Sequence, residues 1–427
     1  MREATIVKPQ VGAIGTAWQR QKLSELSTIR AGIAFPPRLQ GQVRGDLPFY
    51  KVSDMNLPGN ETVMKEANHY LMSHQIGEIK GKPFPAGTVI FPKVGAAIAT
   101  NKKRLLSRSS LIDNNVMGII PDNEKCTSEF LYYWLLTVDL ASISAPGPLP
   151  SITGSSVGQL TVPLPPLDEQ RRLTEMLLTI QDAATANAIE LSAARSLKDA
   201  MLTYLFANGL TDEGQAIETE YGSIPQDWSL IELSEVATIQ TGVTKGRRLN
   251  GQATVSLPYL RVANVQDGHL DLRDMKTISL AEHEVPRYML MDGDVVVTEG
   301  GDADKLGRGF IWRNQISPCV HQNHVFAIRP DRSRLLPEYL AYLIQSSFAK
   351  SYFLGVAHRT TNLACINSTK LKAMPTPLPS IAEQHDIVNY LAHIDRKIAA
   401  VERQASAVGG LFNSMLEVLL PSIEESE

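Results

Sequence analysis

PLPPLDEQ at residues 163–170 returns as PLPSIAEQ at residues 377–384, and each run opens a stretch whose apolar residues recur at alternating spacings of four and three. That rhythm belongs to a helix that keeps one seam against another helix. In the later copy the seam runs through Ile387, Leu391, Ile394, Ile398, Val401, Ala405, Val408, Phe412, Met415 and Leu419 without a polar interruption. In the earlier copy it runs in the same register, at an offset of 214, through Leu173, Leu177, Ile180, Ala184, Asn187, Leu191, Ala194, Lys198, Met201 and Leu205, where two polar residues weaken it. The prolines upstream hold the backbone extended, and the Glu-Gln pair falls in the first helical turn, where a carboxylate suits the exposed amides and the dipole. Asn208-Gly209 predicts a left-handed cap, and Gly409-Gly410 predicts a kink or a close helix contact. About forty residues at 1.5 Å each make rods of roughly 60 Å.

Outward from these runs, residues 14–170 recur with drift as residues 224–384. Ile14 and Trp18 match Ile224 and Trp228, LSELSTI (23–29) matches LSEVATI (233–239), RLQGQ (38–42) matches RLNGQ (248–252), and LPFYKVSDM (47–55) matches LPYLRVANV (257–265), all at an offset of 210. EFLYYWL (129–135) faces EYLAYLI (338–344) at 209. A period this long is a duplicated domain rather than a solenoid. Short β segments such as GTVIF (87–91), GDVVVTE (293–299) and HVFAI (324–328) alternate with helices near 128–137 and 336–350. The expected fold class is α+β: two similar globular domains separated by two long antiparallel coiled-coil helices. The first globule is placed at 1–165, its helix at 166–208, a linker at 209–222, the second globule at 223–378, the second helix at 379–420 and a tail at 421–427. The acidic run TDEGQAIETE (211–220) within that linker is expected to be flexible and solvated.

At 427 residues, 43% hydrophobic and 20% charged, the chain has room for two cores and a linking layer. Cys126, Cys319 and Cys365 stand far apart with no CxxC spacing, which points to a reducing compartment and away from zinc. The most apolar stretch, residues 84–100, carries Pro85, Pro92 and Lys93 and is short for a bilayer, and no export pattern opens the chain. A cytoplasmic location and no membrane partner are expected. Phosphate-loop and dinucleotide-loop patterns do not occur, nor does an Asn-Pro-Pro-Tyr-like stretch for amino methylation. GGDADKLGRG (300–309) has Ala303 where a nuclease would need an acid two residues before Lys305, and reads instead as a charged glycine-rich surface loop. HQNH (321–324) precedes a strand, and its counterpart IDNNV (112–116) has no histidine, so a structural role is expected over metal binding. No catalytic residue, metal site or cofactor is expected in this chain.

The net charge of −4 hides a segregation: residues 14–163 and 223–377 carry +4 and +2, whereas 164–222 and 378–427 carry −6 and −5. Basic residues cluster as Lys102, Lys103, Arg104 and Arg108, as Lys245, Arg247 and Arg248, as Lys305, Arg308 and Arg313, and as Arg329, Arg332 and Arg334. Such loops can neutralise phosphates, and arginine can grip guanine edges; a solvated surface run is the alternative. Comparing residues 33–42 with 243–252, Arg38 and Arg248 are assigned framework or phosphate roles, Lys245 and Arg247 target contact, and Gly32 and Gly242 a turn. Asn264 after the shared strand is either an adenine contact or a turn residue. The loops APGPLPSIT (145–153) and GVAHRTTN (355–362) occupy corresponding places with nothing in common, which suits readers of different bases and adds Arg359 and Thr360 to the candidate DNA contacts.

The chain resembles the specificity subunits of type I restriction-modification systems in LPYLRVANVQDG (257–268) with its echo LPFYKVSDM, in MDGDVVV (291–297), in LPEYLAYLI (336–344) and in INSTKLKAMPTPLPSIAEQ (366–384), which together span both halves. The resemblance implies two domains reading a bipartite double-stranded DNA target. It also implies helices packed as a spacer and docking sites for methyltransferase subunits, which carry S-adenosylmethionine, and for restriction subunits, which use ATP and Mg. The competing readings are a protein-interaction scaffold and a DNA reader of another modification machine. If the helices act as a ruler, four residues added to one rod lengthen the unread gap by roughly two base pairs, given rises of about 1.5 Å per residue and 3.4 Å per pair. Methylation-site mapping of an active insertion variant checks this, and an unchanged gap sinks the ruler.

Overall fold

Val89, Ile90 and Phe91 are all buried although a strand has only two faces, because successive side chains enter different cores. Val89 and Phe91 join Met117, Ile119, Phe130 and Trp134, while Ile90 joins Tyr50, Met64 and Val116. The same alternation recurs in the second copy: Val295 and Val297 pack with Phe326, Ile328 and Leu340, and Val296 with Val325, Trp312 and Leu260. The computed structural model describes residues 18–210, 215–249, 251–301, 306–359 and 364–420, the side chain of Arg359 excepted. They divide into two compact units, Met1–Ala188 with Gln404–Glu427, and Ile189–Arg403.

In the first unit a five-stranded sheet runs in the order Ser27–Ala31, Val116–Pro121, Val89–Pro92, Arg104–Leu106, Val63–Met64. Its registers include Ile29↔Ile119 and Val89↔Ile119. The helix Ser128–Leu136, capped by the Thr127 hydroxyl accepting from the Phe130 amide, lays seven buried residues over one face. A second sheet holds Leu47–Tyr50 between Tyr70–Leu71 and Leu111–Ile112.

In the second unit four strands repeat that order as Ala237–Thr241, Val325–Pro330, Val295–Thr298 and Gly309–Ile311. Helix Pro337–Gln345 takes the place of Ser128–Leu136. The acidic run expected to be a solvated linker is partly ordered: Ala216–Thr219 pairs with Gly222–Pro225 as a hairpin, and residues 211–214 lie outside the described residues. Both copies also use their proline-rich run as an edge strand, Thr161–Leu164 against Gln19–Lys22 and Pro375–Leu378 against Ser229–Glu232. An edge tolerates proline because one side of the strand needs no donor.

Long helices follow at once, Leu167–Asn208 and Ile381–Leu419. In the first unit, Leu173 and Leu177 near the start of the first helix pack with Phe412, Met415 and Leu419 near the end of the second. In the second unit, Leu202, Leu205 and Phe206 near the end of the first pack with Ile387 and Leu391 at the start of the second. The pairing is antiparallel in each unit. All twenty seam positions, Ile180, Leu191, Ile394, Ile398 and Val401 among them, are buried or half-buried. The second helix runs through Gly409-Gly410, and a Cβ built at either residue meets nothing within 4 Å, so the close contact expected there is absent.

Each helix is fastened to its globule by one glutamine of the repeated run. Gln170 is fully buried; its Nε2 donates to the Lys125 and Pro165 carbonyls, both at 2.9 Å, and its Oε1 accepts from the Thr127 amide at 2.9 Å. Gln384 does the same with the Arg334 and Pro379 carbonyls at 2.9 and 3.0 Å and the Leu336 amide at 2.8 Å. A buried amide and two carbonyls that lose such a partner each keep their desolvation penalty. Gln384→Ala is therefore expected to destabilise the second unit by about 2–4 kcal/mol in urea unfolding, and a loss below about 1 kcal/mol would show the clamp to be incidental.

Candidate nucleic-acid interface

Loop 33–42 of the first globule is shaped by Gly41, whose φ of +86° has its counterpart in Gly251 at +72°. A side chain at either is strained, which accounts for the persistence of Arg-Leu-x-Gly-Gln in both copies. Gly32 and Gly242, expected to make the turn, act differently. A Cβ on Gly32 would lie 2.1 Å from the Asp113 carbonyl oxygen and one on Gly242 2.1 Å from that of His321, so both allow backbones to approach. The first loop is braced by Phe35 stacked on Phe49 at 3.8 Å, by the Gly41 amide donating to His69 Nδ1 at 2.8 Å, and by Lys51 Nζ donating to Gln40 at 3.3 Å. Arg38 stands exposed, paired at 3.0 Å with Glu78, and Arg108 is exposed with its guanidinium 5.6 Å from the Tyr70 ring centre.

The rest of the first cluster faces inward. Lys103 is 1% exposed; its Nζ donates to Asn101 Oδ1 at 2.7 Å and the Val138 carbonyl at 2.6 Å, and burial brings its pKa down to about 8. It is no phosphate contact. Arg104 is half-buried and committed to the Lys103 and Met55 carbonyls at 2.8 and 3.2 Å, with burial lowering its pKa. Lys102, half-buried, donates to Asn56.

In the second globule, Lys245 and Arg248 are exposed, and no ion pair holds either among the described residues. Arg247, expected to contact the target, is bound through both terminal nitrogens to Glu284 at 2.8 and 2.5 Å, a bond that also holds the Glu284 carboxyl below its ordinary value. The assignment is corrected: Arg247 braces the loop, and Arg248 rather than Arg247 is presented. Of the two roles open to Asn264, the turn is the one it takes. At 2% exposure, its Oδ1 accepts from the Arg261 amide at 3.0 Å and its Nδ2 donates to the Asp271 and Asp274 carbonyls at 2.8 and 3.1 Å, leaving nothing for a base. Asp54 caps the equivalent turn by accepting from the Lys51 amide at 2.7 Å.

Arg308 is half-buried and donates to Gln266 at 3.1 Å. Arg329 holds Asp294 through two bonds of 2.7 Å, Arg332 lies 3.3 Å from Asp292, Arg313 pairs with Asp292 and Glu338, and Arg334 donates to the Glu235 carbonyl at 3.0 Å. These arginines fasten the MDGD turn and the start of helix Pro337–Gln345, and their sequence clustering gave no sign of it. Lys305 and Thr360 lie outside the described residues, as does the Arg359 side chain, whose backbone belongs to strand His358–Arg359. No group of three potential metal ligands occurs among the described residues, nor does any helix there have the length and apolarity to cross a membrane.

HQNH separates into two roles. His324 Nδ1 lies 2.5 Å from Glu299 at the surface, whereas His321 is fully buried. A carbonyl only accepts, so the 2.6 Å contact to the Val325 oxygen places the proton of His321 on Nδ1 and leaves Nε2 buried without a partner. Burial brings its pKa from 6.5 down to about 4. The unfolded chain then binds the extra proton between those values, so this stability contribution is complete above pH 6.5 and lost as pH falls toward 4. The loss is on the order of 3 kcal/mol. His321→Leu is expected to flatten that dependence in urea titrations at pH 7 and pH 4.5, and an unchanged pH slope would contradict it.

The type I restriction modification DNA specificity domain model matches residues 16–191 and again residues 225–408. A putative type I restriction enzyme MjaX specificity subunit of Methanocaldococcus jannaschii is 26% identical over 47% of this chain and 47% of that protein, so the chain matches just under half of that relative's length. The EcoBI specificity subunit of Escherichia coli is 23% identical over 96% of this chain and 85% of its own. Among solved structures, the S subunit of a type I restriction-modification system from M. genitalium superposes with a TM-score of 0.56 at 13% identity, covering 95% of this chain and 96% of its own. A chain from work on complex assembly and conformational transition of the type I R-M system gives 0.57 at 18%, covering 96% and 99%.

Proposed function

The chain belongs to the type I restriction-modification DNA specificity family, and from that premise we propose that it is the non-catalytic subunit that reads a bipartite, asymmetric double-stranded DNA target in the cytoplasm. Methyltransferase and restriction subunits docked on it supply the chemistry, with S-adenosylmethionine, ATP and Mg on those partners. One observation carries the reading: two globules of one fold present cationic side chains from the same loop, Arg38 in the first and Lys245 with Arg248 in the second, over a glycine frame repeated in both copies. Because each loop diverges on its own, the half-sites need not be alike, whereas two identical chains would impose a palindrome.

Lys245 and Arg248 allow the two kinds of contact to be told apart. If either grips a base edge, Lys245→Ala with Arg248→Ala weakens binding by about 1–3 kcal/mol per contact and relaxes the base preference only in the half-site read by the second globule. If both touch phosphates, affinity falls for every sequence and the salt slope drops by about 1 per residue. Salt-titrated DNA binding together with mapping of methylated adenines, in the presence of the methyltransferase partner, measures both. Sequence-indifferent binding with no mapped target would overturn the proposal.

A further inference from the structure

Among the described residues, the ion pairs that join the two long helices all lie in the second unit. Lys198 Nζ is 2.8 Å from Asp395, Arg195 is 2.8 Å from Glu402, and Lys397 pairs with Glu190, each joining the first long helix to the second. The first is the most enclosed, its lysine side chain 14% exposed. Tyr342 Oη also donates to Asp395 at 2.7 Å, and Lys198 to Gln345 at 3.1 Å, so both helices and the globule meet at one polar knot.

The repeat relates each of these residues to a counterpart 214 positions away. Lys198 and Asp395 correspond to Phe412 and Gln181, Arg195 and Glu402 to Gly409 and Ala188, and Lys397 and Glu190 to Ala183 and Gln404. All six counterparts are uncharged. In the first unit, accordingly, the same layer is neutral: Tyr133, the counterpart of Tyr342, donates to Gln181 at 2.7 Å and packs its ring 6.2 Å from that of Phe412.

Two copies of the first helix, paired antiparallel in the same register, would set Lys198 against Gln181, Arg195 against Ala188 and Glu190 against Ala183. Two copies of the second would set Asp395 against Phe412, Glu402 against Gly409 and Lys397 against Gln404. Every like pairing leaves these six residues without the partners they have here, and Lys198, the enclosed member, would lose its counterion, the costly case. The apolar seam positions themselves do not discriminate, because both helices share one apolar register. We propose that the Lys198–Asp395 knot, aided by the two flanking pairs, is a pairing code that accepts the unlike helix and rejects a second copy of the same one. The polar seam residue that weakens the first helix's apolar stripe thus supplies its specificity, keeping duplicated helices from exchanging between chains.

The test uses the full chain with a protease site built into residues 211–214 and cut after folding. Two differently tagged batches are mixed in urea below the unfolding midpoint, returned to buffer and weighed by native mass spectrometry. Wild-type fragments are expected to exchange only into unlike pairs, with like pairs at least tenfold rarer. Lys198→Phe with Asp395→Gln installs the counterpart residues, and like pairs are expected to rise toward the statistical share. Abundant like pairs in wild type, or their continued exclusion in the exchanging variant, overturn the proposal. Should the fragments not exchange or the variant not fold, the uncut chain carrying Lys198→Met, Asp395→Asn or both decides. Each single change is expected to raise the unfolding equilibrium constant at least tenfold and the double change by less than the product. Independent effects overturn the code.

Discussion

Each long helix starts from a glutamine that water does not reach, and the junction between the helix and its own globule is held by that side chain. A carboxamide offers two donors and an acceptor in one plane, and Gln170 and Gln384 commit both functions to three backbone groups: two carbonyls and the amide that precedes helix Ser128–Leu136 or opens helix Pro337–Gln345. The helix axis is thereby tied to the globule that carries the cationic loops. A glutamate would keep the acceptor and lose both donors, and an apolar residue would orphan all three partners. The repetition of the clamp in both copies, donor for donor, marks it as the junction on which each globule's attachment depends.

The cationic loops follow the opposite logic. Positive-φ glycines, the Phe35–Phe49 stack and the Arg247–Glu284 pair set the loop path, while Arg38, paired with Glu78, and Arg108, Lys245 and Arg248 remain exposed. A surface of this kind can change its exposed residues without disturbing its frame. Residues 145–153 and 355–362 have changed in just this way between the copies.

Charge in the sequence was a poor guide to charge at the surface. Of the cluster Lys102 to Arg108, Lys103 and Arg104 turned inward, and the arginines from 329 to 334 tie down turns and helix starts. Asn264, placed well for a base contact by its position after a strand, is a saturated turn cap equivalent to Asp54. Matching Asp54 with Asn264 across the repeat was the available signal, since residues reading different bases have little reason to share a capping role. The glutamine clamp was visible only as a repeated pair of letters, because four of its six partners lie 43 to 50 residues away in sequence.

Taken alone, the sequence determined the duplication, the α+β class, the two long helices with their seams, and the family to which the chain belongs. All of these rest on periodicity and order, which local propensity and apolar burial turn directly into structure. Only the tertiary structure decided which polar side chains are used up inside. A hydrogen-bonding group is satisfied equally by water, by a ligand or by a backbone atom brought from elsewhere in the chain, and its identity does not say which. Lys198 shows the difference: a defect in an apolar stripe when read along the helix, it becomes half of an ion pair once Asp395 stands opposite.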